Sequence, residues 1–354
     1  MPDVSPLPVA LLSLATAVPE TMLAQDEARE VSRRLFGGRA GHFEKLATVF
    51  DNAGIAKRHL ARPLDWYEGD HGWRERNLVY LEAAEALYID AARTALDRAG
   101  RSAGEVDALV TVTTTGIATP SLEARVAGRM GFRPDAERVP VFGLGCAGGV
   151  SGLAIAGRLA AGRPGRTVLF VTVELCSISV RLDKPTKANI VATALFADGA
   201  AACVLRGGTG GLAALGDGAE ILWPETLGIM GWDVEDPGLG VIFDRSIPPF
   251  VEKNMLEAVR QITAKSGLTP ADIQRFTCHP GGAKVVAALE QSLGLDGGTL
   301  DHERAVLRDY GNMSAPTVLF VLERVLSAGM PDNMLLLALG PGFTASGLLL
   351  NRPS

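Results

Sequence analysis

Cys146, His279 and Asn312 stand in short glycine-bearing motifs, GLGCAGG, CHPGG and YGNMS, and their side chains suit acyl chemistry. Cys146 opens an apolar segment with helical spacing. A helix N-terminus carries a partial positive charge, which stabilises a thiolate and lowers the pKa of a cysteine. The neighbouring glycines permit a tight turn, where a backbone N–H could stabilise a thioester oxyanion. The motif predicts a nucleophilic cysteine that accepts an acyl group, with a buried structural cysteine as the alternative.

His279 follows a short apolar strand and precedes Pro280-Gly281-Gly282, so the loop should expose its imidazole. Asn312 offers an amide N–H donor at every working pH, while a neutral His279 can donate or accept a proton. With a thiolate, this pair could support acyl transfer onto sulfur, or stabilise the enolate that forms when a malonyl thioester loses CO₂. A cysteine hydrolase, in which the asparagine orients the histidine, stays open at this point.

The elements that must position these residues follow an α/β pattern, because short β-branched runs alternate with longer Ala/Leu-rich segments at helical spacing. An apolar stretch before Pro19 predicts the first strand. Further strands are predicted at 108–114, 167–173, 200–205, 276–278 and 334–339.

The order of these elements repeats along the chain. Asn312 minus Cys146 is 166 and Gly267 minus Gly100 is 167, so equivalent motifs recur at nearly the same offset. We therefore predict two similar α/β halves, residues 1–215 and 216–354, packed about a pseudo-two-fold axis with no flexible linker. In this arrangement Cys146 and Asn312 occupy equivalent positions.

Composition limits the class of protein. The chain has 354 residues, 47% of them apolar and 21% charged, with a net charge of −6, which excludes disorder and disulfide scaffolds and argues against a nucleic-acid partner. Its four cysteines lack CxxC pairing, so we expect no metal site and thiols in a reducing, cytoplasmic compartment. Because Gly and Pro interrupt the apolar runs, no stable membrane insertion is expected.

Together these motifs resemble the type III polyketide synthases, the chalcone synthase superfamily within the thiolase-like fold. Further matching motifs are ALFADGAAA around Phe196 and GPG at 340–342. The resemblance implies two duplicated halves in a five-layer αβαβα arrangement. The segment PLDWYEGDHGWRERNLVYLEAAEAL is also similar to bacterial alkylpyrone and alkylresorcinol synthases.

By this resemblance, Cys146 accepts the starter acyl group from coenzyme A and holds the growing chain. His279 and Asn312 decarboxylate malonyl-CoA, and His279 also favours the Cys146 thiolate. Phe196 is a gatekeeper between the coenzyme A tunnel and the cavity, and Phe243 is the candidate for a second one. The remaining cavity positions are small: Thr114, Thr119, Cys176, Ser179 and Ser314.

The resemblance also implies a homodimer in which Thr119, before Pro120, reaches into the partner's cavity. Lys45, Arg58 and Lys284 are the candidates for binding the phosphates of coenzyme A. No cofactor is expected, since coenzyme A thioesters are the substrates.

Small lining residues leave volume for an apolar chain, and each buried CH₂ of a ligand adds about 0.8 kcal/mol. We therefore expect a long-chain acyl-CoA starter, several malonyl-CoA extensions, and closure to an alkylpyrone or an alkylresorcinol. One alternative is a ketoacyl synthase III-like or other thiolase-fold acyltransferase that makes a single condensation. A second is a catalytically silent paralogue that only binds acyl-CoA.

Overall fold

Strands and helices alternate through both halves of the protein. The computed structural model describes residues 7–36, 43–181, 184 and 186–353. The first half contains β1 (Val9–Ala17), β2 (Thr21–Ala24), α1 (Gln25–Phe36), α2 (Phe43–Asn52), β3 (Lys57–Leu60), α3 (Trp73–Arg98), β4 (Ala108–Val112), α4 (Leu122–Met130), β5 (Glu137–Val141), α5 (Gly148–Ala160), β6 (Thr167–Leu175), α6 (Lys187–Leu195) and β7 (Asp198–Gly207).

The second half has fewer elements in a matching order. It contains β8 (Ala213–Leu222), β9 (Met230–Glu235), β10 (Gly238–Phe243), α7 (Ile247–Ala264), β11 (Arg275–Cys278), α8 (Ala283–Leu293), α9 (Asp301–Tyr310), α10 (Thr317–Ala328), β12 (Asn333–Gly340) and β13 (Thr344–Asn351). The strand β8 begins slightly ahead of residue 216, where the second half was predicted to start.

Most strands join one large sheet. In the part of the chain that the structure describes, it has nine strands in the order β11-β12-β13-β8-β1-β7-β6-β4-β5. The strand β1 pairs antiparallel with β7 along its length and with β8 over the first residues only, Val9 to Leu11. The two halves therefore meet along a short β1–β8 seam, while β9 and β10 form a separate hairpin.

The predicted duplication is confirmed by the strand order. The order β1-β7-β6-β4 in the first half corresponds to β8-β13-β12-β11 in the second. The inner pairs are antiparallel in both halves, and the β4–β6 and β11–β12 pairs are parallel in both. In the first half β5 extends this order by one more parallel strand.

Three hydrophobic clusters lie between the layers of helices and strands. The helices α5 and α10 lie between the two half-sheets, where Leu153 and Val318 are fully buried. The helix α3 covers the outer face of the first half-sheet through Tyr80 and Tyr88, and α7 and α8 cover the outer face of the second. The result is the expected five-layer αβαβα arrangement.

The fully buried strands explain the continuous apolar runs in the sequence. Every residue of β4 and β6 is buried, because helices cover both faces of this part of the sheet. No helix in the described ranges is long and apolar enough to cross a membrane.

Candidate active site

Cys146 lies in a tight turn between β5 and α5. A short 3₁₀ turn, Gly145–Ala147, leads directly into α5, so the thiol stands at the start of the central helix as predicted. Gly145 has φ +47°, and a Cβ there would lie 2.7 Å from the ring of Pro341. Only glycine lets this turn pack so closely against the loop that follows β12.

His279 is presented by the end of β11. Its backbone N–H donates to the carbonyl of Leu337 on β12, which fixes the start of the loop. The side chain is 5% exposed, and neither ring nitrogen has a hydrogen-bond partner among the described residues. A buried imidazole with both nitrogens unpaired is rare in a folded protein and is available to a ligand.

Asn312 lies in the loop between α9 and α10. It therefore precedes the N-terminus of an apolar helix, on the side that the sequence repeat predicted. Its Oδ1 accepts from the backbone N–H of Ser314, and its Nδ2 donates to the carbonyl of Gly281 at 3.1 Å. These bonds fix the amide orientation and tie it to the His279 loop. The amide nitrogen retains a second N–H with no acceptor among the described residues, so it can donate to a substrate oxygen.

These three side chains line one pocket. Of the residues predicted to line the cavity, Cys176, Phe196, Phe243 and Ser314 lie in the same wall. The polar groups converge within a largely apolar surround, which is the usual form of a small-molecule site.

The resting thiol and imidazole are both uncharged. Cys146 donates to Ser314 Oγ with an S···O distance of 3.4 Å, while burial raises the pKa of the Cys146 thiol to about 11. Burial also lowers the pKa of His279 to about 3. The expected resting thiolate is therefore wrong for this state, because desolvation outweighs the local helix N-terminus. The thiol must therefore lose its proton in the acyl-transfer step.

Glu174, at the end of β6, is a buried residue that the sequence interpretation missed. Its Oε2 accepts from the backbone N–H of Thr114 and from Thr115 Oγ1, whereas Oε1 has no partner among the described residues. Burial raises the pKa of this carboxyl to about 7. An acidic residue within an apolar strand was the signal for it, since such a residue is rarely buried without a specific role.

Phe196 and Trp232 form the outer wall of the pocket. Their ring centroids lie 5.8 Å apart at an interplanar angle of 51°, and Phe196 is 9% exposed. Trp232 stands on β9, so the separate β9–β10 hairpin supplies half of this constriction. Sequence reasoning placed Phe196 here but overlooked Trp232, because an exposed-looking hairpin gives no signal of the cavity it covers.

The other predicted cavity residues do not line this pocket. Thr114 lies behind the pocket-lining Gly145, whose backbone N–H donates to Thr114 Oγ1 at 3.2 Å. Ser179 is buried in the turn after β6, and Thr119 is exposed before the cis peptide bond to Pro120.

The three basic candidates differ in position. Lys284 is exposed in the first turn of α8, beside the pocket-lining Val285. Lys45 belongs to α2, but its side chain lies outside the described residues. Arg58 is 1% exposed and donates to backbone carbonyls at the end of α6. The prediction that Arg58 binds a surface phosphate is therefore wrong, because its guanidinium is used inside the protein.

The arrangement combines a thiol nucleophile, an uncharged imidazole and an oriented amide donor. Such a set can accept an acyl group on sulfur and stabilise a developing enolate oxygen in a water-poor pocket.

Models of a known family match both halves of the chain. The N-terminal domain of chalcone and stilbene synthases matches residues 5–209, and the C-terminal domain matches residues 215–352.

Curated relatives and solved structures agree with these matches. A 1,3,6,8-tetrahydroxynaphthalene synthase from Streptomyces peucetius subsp. caesius is 40% identical, over 96% of this chain and 92% of that protein. A putative chalcone synthase from Bacillus subtilis is 35% identical, over 96% of this chain and 98% of that protein. The crystal structure of the tetrahydroxynaphthalene synthase from Streptomyces coelicolor A3(2), a bacterial type III polyketide synthase, superposes with a TM-score of 0.92 at 28% identity, covering 98% and 99% of the two chains. The chain therefore belongs to the chalcone and stilbene synthase family and is a type III polyketide synthase.

Proposed function

We propose that this synthase loads a long-chain acyl-CoA starter on Cys146, extends it with malonyl-CoA, and closes the product to an alkylpyrone or an alkylresorcinol. The observation that carries the catalytic part is the single pocket shared by Cys146, His279 and Asn312. The apolar wall supports an alkyl starter, since Met230, Ile242 and other aliphatic or aromatic side chains supply most of it.

In the loading step, the sulfur of Cys146 attacks the carbonyl of the starter thioester. The new S–C bond forms as the bond to the coenzyme A sulfur breaks, and coenzyme A leaves with the proton of the thiol. His279 carries this proton, because its nitrogens have no hydrogen-bond partner among the described residues and it is uncharged at rest.

In the extension step, malonyl-CoA loses CO₂ and the electron pair of the broken C–C bond forms an enolate. The enolate oxygen accepts hydrogen bonds from His279 and from the free Nδ2–H of Asn312, whose orientation is fixed by Gly281 and Ser314. The enolate carbon then attacks the thioester on Cys146, and the sulfur is released as the chain passes to the new coenzyme A thioester.

The test is to incubate the purified protein with labelled malonyl-CoA and acyl-CoA starters of graded length, and to identify products by mass spectrometry. We expect cyclised products from several extensions, with the yield rising toward long starters. A single-extension β-ketoacyl product would instead favour the ketoacyl synthase alternative, and the absence of any turnover would favour a binding protein.

The 40% identity to a tetrahydroxynaphthalene synthase favours a second candidate product, 1,3,6,8-tetrahydroxynaphthalene. The same assay separates the two products, because this one lacks the alkyl tail of a long starter. Formation of the naphthalene without any starter would contradict the alkyl proposal while leaving the catalytic set intact.

Trp232→Ala tests the starter site directly. Removing the indole that packs on Phe196 should widen the pocket and extend the range of accepted starters. Trp66→Ala, a change in the turn before α3 outside the pocket lining, is the matched control. Unchanged chain-length preference in Trp232→Ala would count against this position for the alkyl chain.

We also propose that Lys284 and Lys45 bind the phosphates of coenzyme A and that the enzyme is a cytoplasmic homodimer. Unpaired cysteines support a reducing compartment.

The edge strand β5 and the exposed side chains of Ile117 and Phe142, near Thr119, support a protein interface. Sedimentation should give a dimer that Phe142→Glu dissociates, whereas a monomeric wild type would contradict the proposal.

A further inference from the structure

We propose that Arg58 is a positioning residue, which holds the Phe196 gate and Asn312 in their working geometry from inside the protein. The inference rests on the proposed function, because it assigns Phe196 and Asn312 the roles described above. It gives Arg58 a task other than phosphate binding.

The guanidinium of Arg58 donates most of its hydrogen bonds to one short segment of backbone. Its Nη1 donates to the carbonyl of Thr193 at 2.6 Å and to that of Phe196 at 3.3 Å. Its Nη2 donates to the carbonyl of Ala194 at 2.8 Å and to Oε1 of Gln25. The segment that receives these bonds is the last turn of α6 together with the gate residue itself.

A cation suits this place for a general reason. The last carbonyls of a helix have no intrahelical donor and carry a partial negative charge, so they are stabilised by a positive side chain. The planar, multi-donor guanidinium can bind several carbonyls at fixed angles, which the ammonium of a lysine cannot. Gln25 adds to this by donating from Nε2 to the carbonyls of Ala194 and Phe50.

The same segment is hydrogen-bonded to Asn312. The backbone N–H of Asn312 donates to the carbonyl of Leu195, and its carbonyl accepts from the N–H of Ala197, both at 2.9 Å. Phe196 thus stands between two residues that bond the catalytic asparagine, while Arg58 binds the carbonyl of Phe196 itself. A shift of this turn would move the gate and Asn312 together.

Burying the guanidinium of Arg58 costs desolvation free energy, so we expect this residue to have a specific role. Desolvation lowers the pKa of the guanidinium to about 10, partly opposed by the charge of Asp198. The hydrogen-bond acceptors of Arg58 are neutral oxygens of the gate segment and of Gln25, so its hydrogen bonds act on backbone position, while Asp198 interacts with it through charge. A well-packed apolar side chain would avoid the desolvation cost but leave the carbonyls unpaired.

The experiment compares Arg58→Gln with Arg58→Lys. One measurement is malonyl-CoA decarboxylation, which reports on Asn312. The other is the ratio of Cys146 alkylation rates with N-benzylmaleimide and iodoacetamide, which reports on the width of the gate and cancels changes in thiol reactivity. Peptide mapping separates alkylation of Cys146 from that of Cys176, which lines the same pocket, while Cys203 and Cys278 are fully buried.

For Arg58→Gln we expect kcat for decarboxylation to fall about tenfold with KM nearly unchanged, since displacement by a fraction of an ångström is enough to cost that much. The alkylation ratio should rise about threefold or more, because a bulky probe gains most from a loosened gate. Arg58→Lys should recover part of both effects. Arg166→Gln is the matched control, since Arg166 is 18% exposed and pairs with Glu137 far from the gate, and it should change neither quantity.

Arg58→Gln with a lowered melting temperature but wild-type values of both measurements would overturn the inference and leave Arg58 a structural residue. If Arg58→Gln does not fold, Gln25→Ala gives smaller changes in the same directions, and wild-type values there would equally overturn it. A wild-type enzyme with no decarboxylase activity would contradict the proposed function, while the alkylation ratio would still decide whether Arg58 holds the gate.

Discussion

Equivalent strand ends in the two halves have opposite hydrogen-bonding states. The offset of 166 that relates Cys146 to Asn312 also relates Thr113, after β4, to His279, after β11. The hydroxyl of Thr113 is paired with the hydroxyl of Tyr80 at 2.9 Å, whereas both nitrogens of His279 lack a partner among the described residues. At these equivalent positions, the side chain in the first half is hydrogen-bonded within the protein, and the side chain in the second half is available to a substrate.

A second pair of equivalent positions lies at the ends of the strands β6 and β12. Glu174 in the first half supports the Thr114–Thr115 turn through two hydrogen bonds. Its counterpart in the second half is Gly340, where a Cβ would lie 2.5 Å from Ala147 Cβ and so collide with the turn that carries Cys146. In the first half, this position carries a side chain that fixes a loop. In the second half, the absence of a side chain lets the turn that carries Cys146 pack against the end of β12.

The largest expected effect comes from removing the amide that stands opposite Cys146. Asn312→Ala should slow malonyl-CoA decarboxylation by about 10²- to 10³-fold, because the enolate oxygen loses a preorganised donor. Acyl loading of Cys146, followed by intact-protein mass spectrometry, should persist. Asn254→Ala is the control, since that amide only donates to the carbonyl of Phe250 within α7. Loss of loading together with decarboxylation would contradict the assignment of Asn312 to the decarboxylation step.

Gly340→Ala tests the close approach at the end of β12. The added methyl would collide with Ala147 and the carbonyl of Leu144 at 2.8 Å, pushing the Cys146 turn out of place. We expect the condensation rate to fall about 100-fold, as for a displacement of about 1 Å. Gly128→Ala on α4, where a Cβ meets nothing within 4 Å, should keep full activity. Wild-type kinetics for Gly340→Ala would contradict the steric reading of this pair.

Glu174→Gln tests the carboxyl through the pH dependence of stability. Burial raises the folded-state pKa of Glu174 from its usual 4.5 to about 7, so the folded protein binds its proton more tightly. This contribution is fully present below about pH 4.5 and is lost as the pH rises through 7. Between pH 5 and 8 the wild type should therefore lose about 2.5 kcal/mol more unfolding free energy than the variant. Parallel pH profiles from urea denaturation would show that Glu174 ionises normally.

The smallest effect is expected at Thr113, the satisfied counterpart of His279. Thr113→Val removes the hydrogen bond to Tyr80 and should lower the free energy of unfolding by about 1 kcal/mol, measured by urea denaturation. Decarboxylation should stay near the wild-type rate. A large loss of activity with unchanged stability would mean that this strand end also serves the reaction.

Much of this comparison could be predicted from the sequence. The equal offsets predicted the duplication, and glycine-rich motifs predicted Cys146 and Asn312 at equivalent positions, because these are local patterns of residue type and spacing. The same reasoning located His279 at a strand end, since the apolar run stops at CHPGG.

What the sequence could not supply depends on contacts between distant segments. Arg58 was read as a surface phosphate ligand, because its neighbours in the chain are polar and give no sign of the α6 carbonyls that surround it. Trp232 was missed because only the folded hairpin brings it to Phe196. The neutral resting state of Cys146 was missed too, since desolvation by residues far apart in the chain decides its pKa.

The central claim is that one half supplies the nucleophile and the other the decarboxylating pair. Cys146→Ala with labelled malonyl-CoA tests it most directly. We predict that acetyl-CoA continues to form from malonyl-CoA through His279 and Asn312, while acyl-enzyme and polyketide are both absent. Full-length polyketide from this variant would contradict the assignment of the nucleophile, and loss of decarboxylation in a folded variant would contradict the division between the halves.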